Sequence, residues 1–463
     1  MPTLALSTIV RDAALSLPAC LESVRGIVDE MVIADTGSTD ETIEIALGFR
    51  AQVIPVAWTD DFAAARNKAL APVKSDWVLI LDADEQLDPS AAQHICALIG
   101  DESMAAYQVP IRSYVSSLED RIWDRAAKPN DSEFPPAKNY PAYVEHKNIR
   151  LFRHLPEIFF VGRVHERIDP QFLEAGLNLG QAPFCIHHFG LVSNAETRAR
   201  KNHFYRRLGR AKLRETPQDA QAYLELGVVE LDDFGNLDEA LALFVRACEL
   251  NPRMGVAWLF RGITLSKLRR LRDALRCLSE AERQGHLTSL VYEAQGDAHY
   301  HLKEYPRACK NYDRAVQRNS GNPLLQSKLG LAIVRAGNIE RGLGLIRQAV
   351  ECKPAAGELH DRLILSLVWL DRIEEAGAAA EAKLKAAEHT DAVDFLRAAS
   401  LWARLKNWPR AAAVLQVGLQ RHPNDITLGR SLSEVARTAD VPDSATAEQS
   451  SGSERQKLSG FRR

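Results

Sequence analysis

Up to about residue 110, short β-rich apolar runs alternate with stretches of helical period, the pattern of a mostly parallel sheet with crossover helices. Strands are predicted at 4–10, 31–35, 52–57 and 77–81, with 107–111 as a fifth. Between them, helices are predicted at 16–25, 39–49, 60–72 and 89–99, the second opening on Ser38-Thr39-Asp40, good N-cap chemistry. Residues 112–147 are polar and Pro-rich and predict a long loop, which at that length inside a domain is usually functional or disordered. Strand-like pieces return at 148–153, 158–161 and 184–189, with Val164-His165-Glu166 and His187-His188 in turns at their ends. The basic stretch 196–214 predicts a connecting helix.

From about residue 219 the pattern changes to a repeat of period 34. Small residues recur at Ala240, Ala274, Ala308, Gly342 and Ala376, and a second series, Ala247, Ala281, Ala315 and Ala349, runs seven positions behind. Gly227, Gly262, Gly296 and Gly330 lie upstream, and Pro252, Pro354 and Pro423 close repeats. A helix-turn-helix unit of this length needs small side chains where its helices cross and a proline where the second ends. These positions resemble tetratricopeptide repeats, six copies over 219–423, the last two degenerate, with Lys383 and Gly418 at the second alanine position.

Composition narrows the classes. The 463 residues are 46% hydrophobic, enough for two or three cores, and 58 basic against 61 acidic residues give no field that would draw the chain to nucleic acid or an anionic membrane. No stretch approaches the roughly 20 apolar residues of a membrane span, and no signal-peptide pattern opens the chain, so the expected location is cytoplasmic. Seven scattered cysteines without a CxxC pair suggest buried thiols rather than a disulfide framework or a zinc cage. Residues 440–463, rich in Ser, Ala, Glu and Arg, predict a disordered tail.

Chemistry concentrates in two acidic loops. Asp82-Ala83-Asp84-Glu85 directly follows the strand at 77–81, and carboxylates at the C-terminal end of a parallel strand project into the crevice where α/β folds bind ligands. Two of them at i and i+2 can approach one divalent ion, which keeps positions open for diphosphate oxygens. Asp35, in Asp35-Thr36-Gly37-Ser38-Thr39-Asp40, ends a second strand in the same crevice. Together with Ile9 to Asp12 and with Asp61-Phe62-Ala63-Ala64-Ala65-Arg66-Asn67, this ordered set resembles a family 2 glycosyltransferase of the GT-A fold over about residues 3–190. No GxxxxGK[ST] or GxGxxG turn supports an ATPase or dinucleotide reading.

The resemblance implies a GT-A domain (a Rossmann-like nucleotide-sugar-binding sheet) at 1–192, a linker helix at 193–218, an all-α solenoid of tetratricopeptide repeats at 219–436 and a tail at 437–463. It implies donor contacts from the backbone of Ile9 and Arg11, from Asp35 to base or ribose, from Asp82 on the ribose side, and from Arg66 near base or diphosphate. Arg11-Asp12 stands where similar sequences carry Lys-Asn. Asp84 is the expected ligand of Mn²⁺ or Mg²⁺, and two histidines compete to join it. His165, in a Val-His-Glu motif with Arg150 to Arg153 upstream, is favoured; His188, in the His-aromatic-Gly turn 188–190, is placed beside the donor. Glu166 is the first choice of base, with Glu85, Asp61 and Glu145 as alternatives; strand geometry would point Glu166 and His165 to opposite faces unless the segment turns there.

The expected activity is metal-dependent, inverting transfer of a hexosyl-type group from a nucleotide-sugar, a uridine diphosphate sugar for preference. The acceptor is expected to be a peptide, a protein or a cell-envelope glycan docked by the repeats, where Tyr223, Trp258, Tyr292 and Tyr300 are aromatic candidates. The alternative is a non-catalytic protein-binding scaffold carrying a degenerate nucleotide-sugar-binding domain. A sugar-phosphate nucleotidyltransferase would need a Gly-rich loop that residues 4–20 lack.

Overall fold

The structure, a computed structural model, describes residues 2–190 and 195–439. The described residues form the strands β1 (Leu4–Val10), β2 (Glu30–Asp35), β3 (Gln52–Pro55), β4 (Trp77–Ile80), β5 (Glu85–Leu87), β6 (Ala106–Val115), β7 (Arg121–Ile122), β8 (Arg125–Ala126), β9 (Lys128–Pro129), β10 (Ala142–Arg153), β11 (Leu179–Gln181) and β12 (Ile186–His188). The main sheet runs β3-β2-β1-β4-β10-β6-β12-β5. Its first four strands are parallel, and β10 turns it antiparallel against β4. Helices α1 (Leu17–Ser23), α2 (Thr42–Gly48), α3 (Phe62–Leu70), α4 (Ala91–Gly100) and α5 (Asp169–Glu174) accompany it.

Alternation along the strands builds two cores. Leu4, Leu6, Ile33, Trp77, Leu79 and Leu81 bury on one face with α1 and α4, while Ala5, Val32, Val78 and Ile80 bury on the other with Phe152, Phe160 and Phe172. Neighbouring residues of one strand thus serve opposite layers, as expected of a sheet covered on both sides.

The expected loop 112–147 is shorter than its composition suggests. Strand β6 continues to Val115 and β10 begins at Ala142, paired over Ala142↔Val115 to Phe152↔Ala106. These strand ends are largely core: Val115, Ala142 and Val144 form one small cluster and Tyr114 and Tyr143 another, while His146 and Lys147 line a cavity. Between them, β7 and β8 make a small hairpin and β9 pairs with β10. The expected strand at 158–161 reduces to one bridge, Val161↔Arg167, and the end of the acidic loop forms the unforeseen strand β5.

Helix α6 (Ala195–Glu215) is followed by α7 (Ala220–Asp232), α8 (Leu237–Leu250), α9 (Gly255–Lys267), α10 (Leu271–Arg283), α11 (Ser289–His301), α12 (Tyr305–Arg318), α13 (Pro323–Arg335), α14 (Ile339–Cys352), α15 (Gly357–Trp369), α16 (Ile373–Ala386), α17 (Ala392–Arg404), α18 (Trp408–Arg421) and α19 (Ile426–Ala439). By packing, the chain parts into two compact units, 1–302 with 314–321, and 303–313 with the residues from 322 on. The first unit joins the sheet, α6 and the first repeats. The tail expected from 437 begins instead as the last turn of α19, and 440–463 lie outside the described residues.

The periodic small residues are crossing points. A Cβ on Gly227 would stand 2.5 Å from the Phe244 ring, one on Gly262 2.7 Å from Leu278, and one on Gly342 2.5 Å from the Gly330 carbonyl oxygen. Gly227→Ala is therefore expected to destabilise by up to about 2 kcal/mol, since overpacking at about 1–3 kcal/mol is offset by a gain of about 1 in helix propensity. Phe244 is fully buried against Phe260 and has nowhere to go. A lowered unfolding midpoint, with Gly429→Ala, where a Cβ meets nothing within 4 Å, unchanged or raised, checks this.

Of the aromatic docking candidates, Tyr292 is wholly buried core, with Arg314 over its ring at 3.9 Å. Tyr223 and Trp258 pack partly buried against the cluster of α7, α8 and α9. In helix α6, Arg206 and Arg210 both pair with the buried Glu230.

Candidate active site

The ends of β1 and β2 are knit into one surface. Thr36 donates to the Val10 carbonyl through its N–H (2.9 Å) and its hydroxyl (3.0 Å). Asp12, in the left-handed region at φ 47, accepts from the Thr39 N–H at 2.7 Å. Asp12 is thus a cross-brace between the two loops, whereas Arg11 is exposed and Ile9 half-buried. Asp35 is buried at the end of β2 and accepts from the N–H groups of Gly37 (3.0 Å) and Ser38 (3.2 Å), which fixes its carboxylate at the crevice floor.

Behind the DxD strand lies a network of buried charges. Arg66, 7% exposed on α3, donates from Nη2 to Asp82 (2.6 Å) and from Nε to Glu166 (2.5 Å). Arg150 on β10 donates from Nη2 to Glu85 (2.8 Å) and Asp82 (3.3 Å). Burial would raise the Asp82 pKa, but the two guanidiniums outweigh it and hold the carboxyl below the usual range. For Glu85, 2% exposed, burial wins over Arg150 and pushes it up to about 7. Arg66, expected near the base or diphosphate, instead spends these donors on carboxylates and braces Asp82. Asn67 braces the adjoining loop by exchanging two hydrogen bonds with the Phe160 backbone at 2.9 and 2.8 Å. Of the alternative bases, Asp61 caps α3 by accepting from the Ala64 N–H, and Glu145 pairs with Lys128 at 3.0 Å.

Asp84 meets an imidazole, and it is His188. His188 Nε2 lies 3.5 Å from Asp84 Oδ2, and its Nδ1 bonds Ser113 at 3.0 Å. Burial lowers the His188 pKa, yet the neighbouring Asp84 overrides it and leaves the ring easier to protonate. A Cβ on Gly190 would fall 1.8 Å from Asp84 Oδ2 and 2.9 Å from His188 Nε2, so only glycine leaves room where the two converge. A carboxylate oxygen, an imidazole nitrogen and the space beside them fit a manganese-class ion.

His165, favoured from sequence to share that ion, is placed elsewhere. Its segment turns, with φ 50 at His165, and its exposed ring packs 6.0 Å from both Tyr205 and Trp123. The turn lets Glu166 reach Arg66 while His165 faces away. Lys212 on α6 fastens it, donating to the Val164 carbonyl at 2.9 Å and to Glu225 on α7 at 2.7 Å.

Arg66, Asp82, Arg150, His165 and Glu166 line one cavity of about 870 Å³, whose far wall is Leu224, Met254 and Val256 from the first repeats. The β7–β8 hairpin forms its edge. Trp123 packs into the cluster of α7, α8 and α9, and Asp124 meets His286 at 2.9 Å. His146, also in the wall, is held neutral because burial, then Arg150 and Arg125, lower its pKa to about 4. Arg150, Gly190, Tyr205 and Lys212 carried no assigned role in the sequence reading. Only the first two had a visible signal, as members of the Arg150–Arg153 and His-aromatic-Gly motifs; the other two act through a helix packing that spacing does not reveal.

Comparison with known proteins finds relatives of both parts of the chain. Residues 8–193 match the family model of glycosyl transferase family 2, and residues 200–254 and 261–323 match a tetratricopeptide repeat, the first stretch opening inside α6. A TPR repeat-containing protein of Synechococcus elongatus is 34% identical over 174 residues, 37% of this chain and 37% of that protein. An uncharacterized glycosyltransferase of Rickettsia felis is 31% identical over 106 residues, 22% of this chain and 37% of its own, and the SPbeta prophage-derived glycosyltransferase SunS of Bacillus subtilis 33% over 85 residues, 18% and 20%. The chain thus spans at most 37% of the length of these relatives. Among the described residues no helix is long and apolar enough to cross a membrane. Residues 8–193 are a family 2 glycosyltransferase domain, and tetratricopeptide repeats follow it along the chain.

Proposed function

We propose that the protein is a metal-dependent, inverting glycosyltransferase that moves a sugar from a uridine diphosphate sugar to an acceptor seated against the first repeats. The observation that carries this reading is the convergence of Asp84 and His188 under Gly190, beside the crevice floor formed by Asp35 and Asp82. Asp35 and Asp82 receive the nucleoside, with the knitted backbone of Ile9 to Asp12 as the wall of its pocket. Asp84 and His188 hold a divalent ion, which supplies positive charge for the diphosphate leaving group. Glu166 faces the acceptor cavity with one oxygen fixed by Arg66, and its other oxygen takes the acceptor proton as the new bond to the sugar forms and the bond to the diphosphate breaks. The acceptor, a peptide, protein or glycan, enters along the hairpin edge by Trp123 and His165.

Thermal unfolding with a panel of nucleotide-sugars, each with and without Mn²⁺, tests the reading. A donor at 100 times its Kd is expected to stabilise the native state by about 2.7 kcal/mol, and only with metal present. A panel in which no donor moves the midpoint would favour the scaffold reading, with the repeats as the working part.

A further inference from the structure

A second ligand cluster lies on the opposite face of β12 from His188. Cys185 and His187 are two residues apart and so share a face, and Asp88, just beyond β5, stands across from Cys185 through its N–H to the Cys185 carbonyl at 3.1 Å. Their ligand atoms converge. His187 Nε2 is 2.9 Å from Asp88 Oδ2, Cys185 Sγ is 3.8 Å from His187 Nε2, and Sγ is 4.0 Å from Asp88 Oδ2. Among the described residues this is the one group of three such side chains whose ligand atoms lie within 4.8 Å of one another. Tetrahedral zinc with bonds of about 2.0–2.3 Å needs ligand atoms roughly 3.3–3.6 Å apart, so small adjustments close the site.

The surroundings are those of a held ligand set. His187 is 1% exposed, its ring stacked on Phe134 at 4.2 Å, and its Nδ1 bonds the Tyr114 hydroxyl at 2.8 Å, an outer partner that fixes ring orientation. Asp88 Oδ1 is occupied by Ser90, which leaves Oδ2 for the cluster. A pocket of about 430 Å³ opens beside Asp88, between Arg112, Asp131 and Phe134. Arg112 pairs with Asp131 at 3.1 Å across it, and its charge also favours the Cys185 thiolate.

We propose that Asp88, Cys185 and His187 form a site for a zinc-class ion, separate from the Asp84–His188 pair, that ties the start of α4 to β12. On binding, the thiol proton leaves to solvent and the imidazole proton shifts from Nε2 to Nδ1, where the Tyr114 oxygen accepts it. Burial, and then Asp88, hold the Cys185 pKa up to about 12, so without a cation the group stays a thiol.

The test is a Co²⁺ titration of the full chain, reduced and stripped with chelator. The expected result is a thiolate-to-cobalt charge-transfer band that saturates within two equivalents, within one in Asp84→Ala, and is displaced by Zn²⁺. The band persists in Asp84→Ala, disappears in Cys185→Ser, and needs at least tenfold more Co²⁺ in Asp88→Asn. Far-UV circular dichroism confirms that each variant is folded; if Cys185→Ser is not, Cys185→Ala replaces it. No band at excess Co²⁺, or a band unchanged in the folded Cys185 variant, overturns the proposal. Because Asp84→Ala leaves the signal intact, either outcome is independent of the transferase reading.

Discussion

Asp84→Ala is expected to lower metal-dependent turnover of the donor by about 10³-fold or more while shifting stability by no more than about 0.5 kcal/mol. The two effects separate because of where Asp84 sits. Its side chain is 39% exposed and its one ionic neighbour among the described residues is His188, so its removal leaves no buried charge unmatched. The cation that must balance the departing diphosphate, however, would lose its carboxylate. His188→Ala is expected to remove the Mn²⁺ response as well, whereas His165→Ala is expected to keep it and to raise the acceptor KM, since His165 lines the acceptor cavity. Nucleotide release, followed with and without Mn²⁺ in all three variants, checks this. Retained Mn²⁺ dependence in His188→Ala together with its loss in His165→Ala would return the metal role to the Val-His-Glu turn.

The histidine assignment shows where the sequence is legible and where it stops. The parallel strands β1 to β4 and the placement of Asp35 and Asp82 at strand ends follow from period and composition, because both depend on neighbours along the chain. The 34-residue repeat is legible for the same reason, its glycines marking helix crossings such as Gly227 against Phe244. What spacing does not carry is which of two strand-end histidines reaches Asp84. That depends on β12 pairing with β5, which sets His188 opposite Glu85, and on a left-handed residue at His165 that swings its turn away. Glu166 and Arg66 each looked like a free functional group in isolation. In the fold, a hundred residues apart in sequence, they satisfy one another.

Arg150→Met is expected to destabilise the first unit by about 3–5 kcal/mol, the cost of stranding a buried charge rather than the net worth of the ion pair. Arg150 Nη2 lies 2.8 Å from Glu85 and 3.3 Å from Asp82, and without it Glu85 keeps only the Asp82 N–H at 2.8 Å. The deficit should depend on pH, with a sign fixed by Glu85. Its pKa in the fold, about 7, is above the ordinary 4.5, so the native state holds a proton that the unfolded chain has shed, and stability falls as pH rises between these values. Arg150 pulls that pKa down; removing it moves the upper end of the window higher. At pH 5 Glu85 is largely protonated in wild type and variant alike, so the variant loses least there and most near pH 8. Asp82 acts in the other direction, its depressed pKa adding stability that disappears only below its ordinary 3.8 and so stays constant across this range. Urea unfolding of both proteins at pH 5 and pH 8 measures the difference, and a deficit that is equal at the two pH values, or larger at pH 5, would show that Arg150 is not what holds the Glu85 charge in the core.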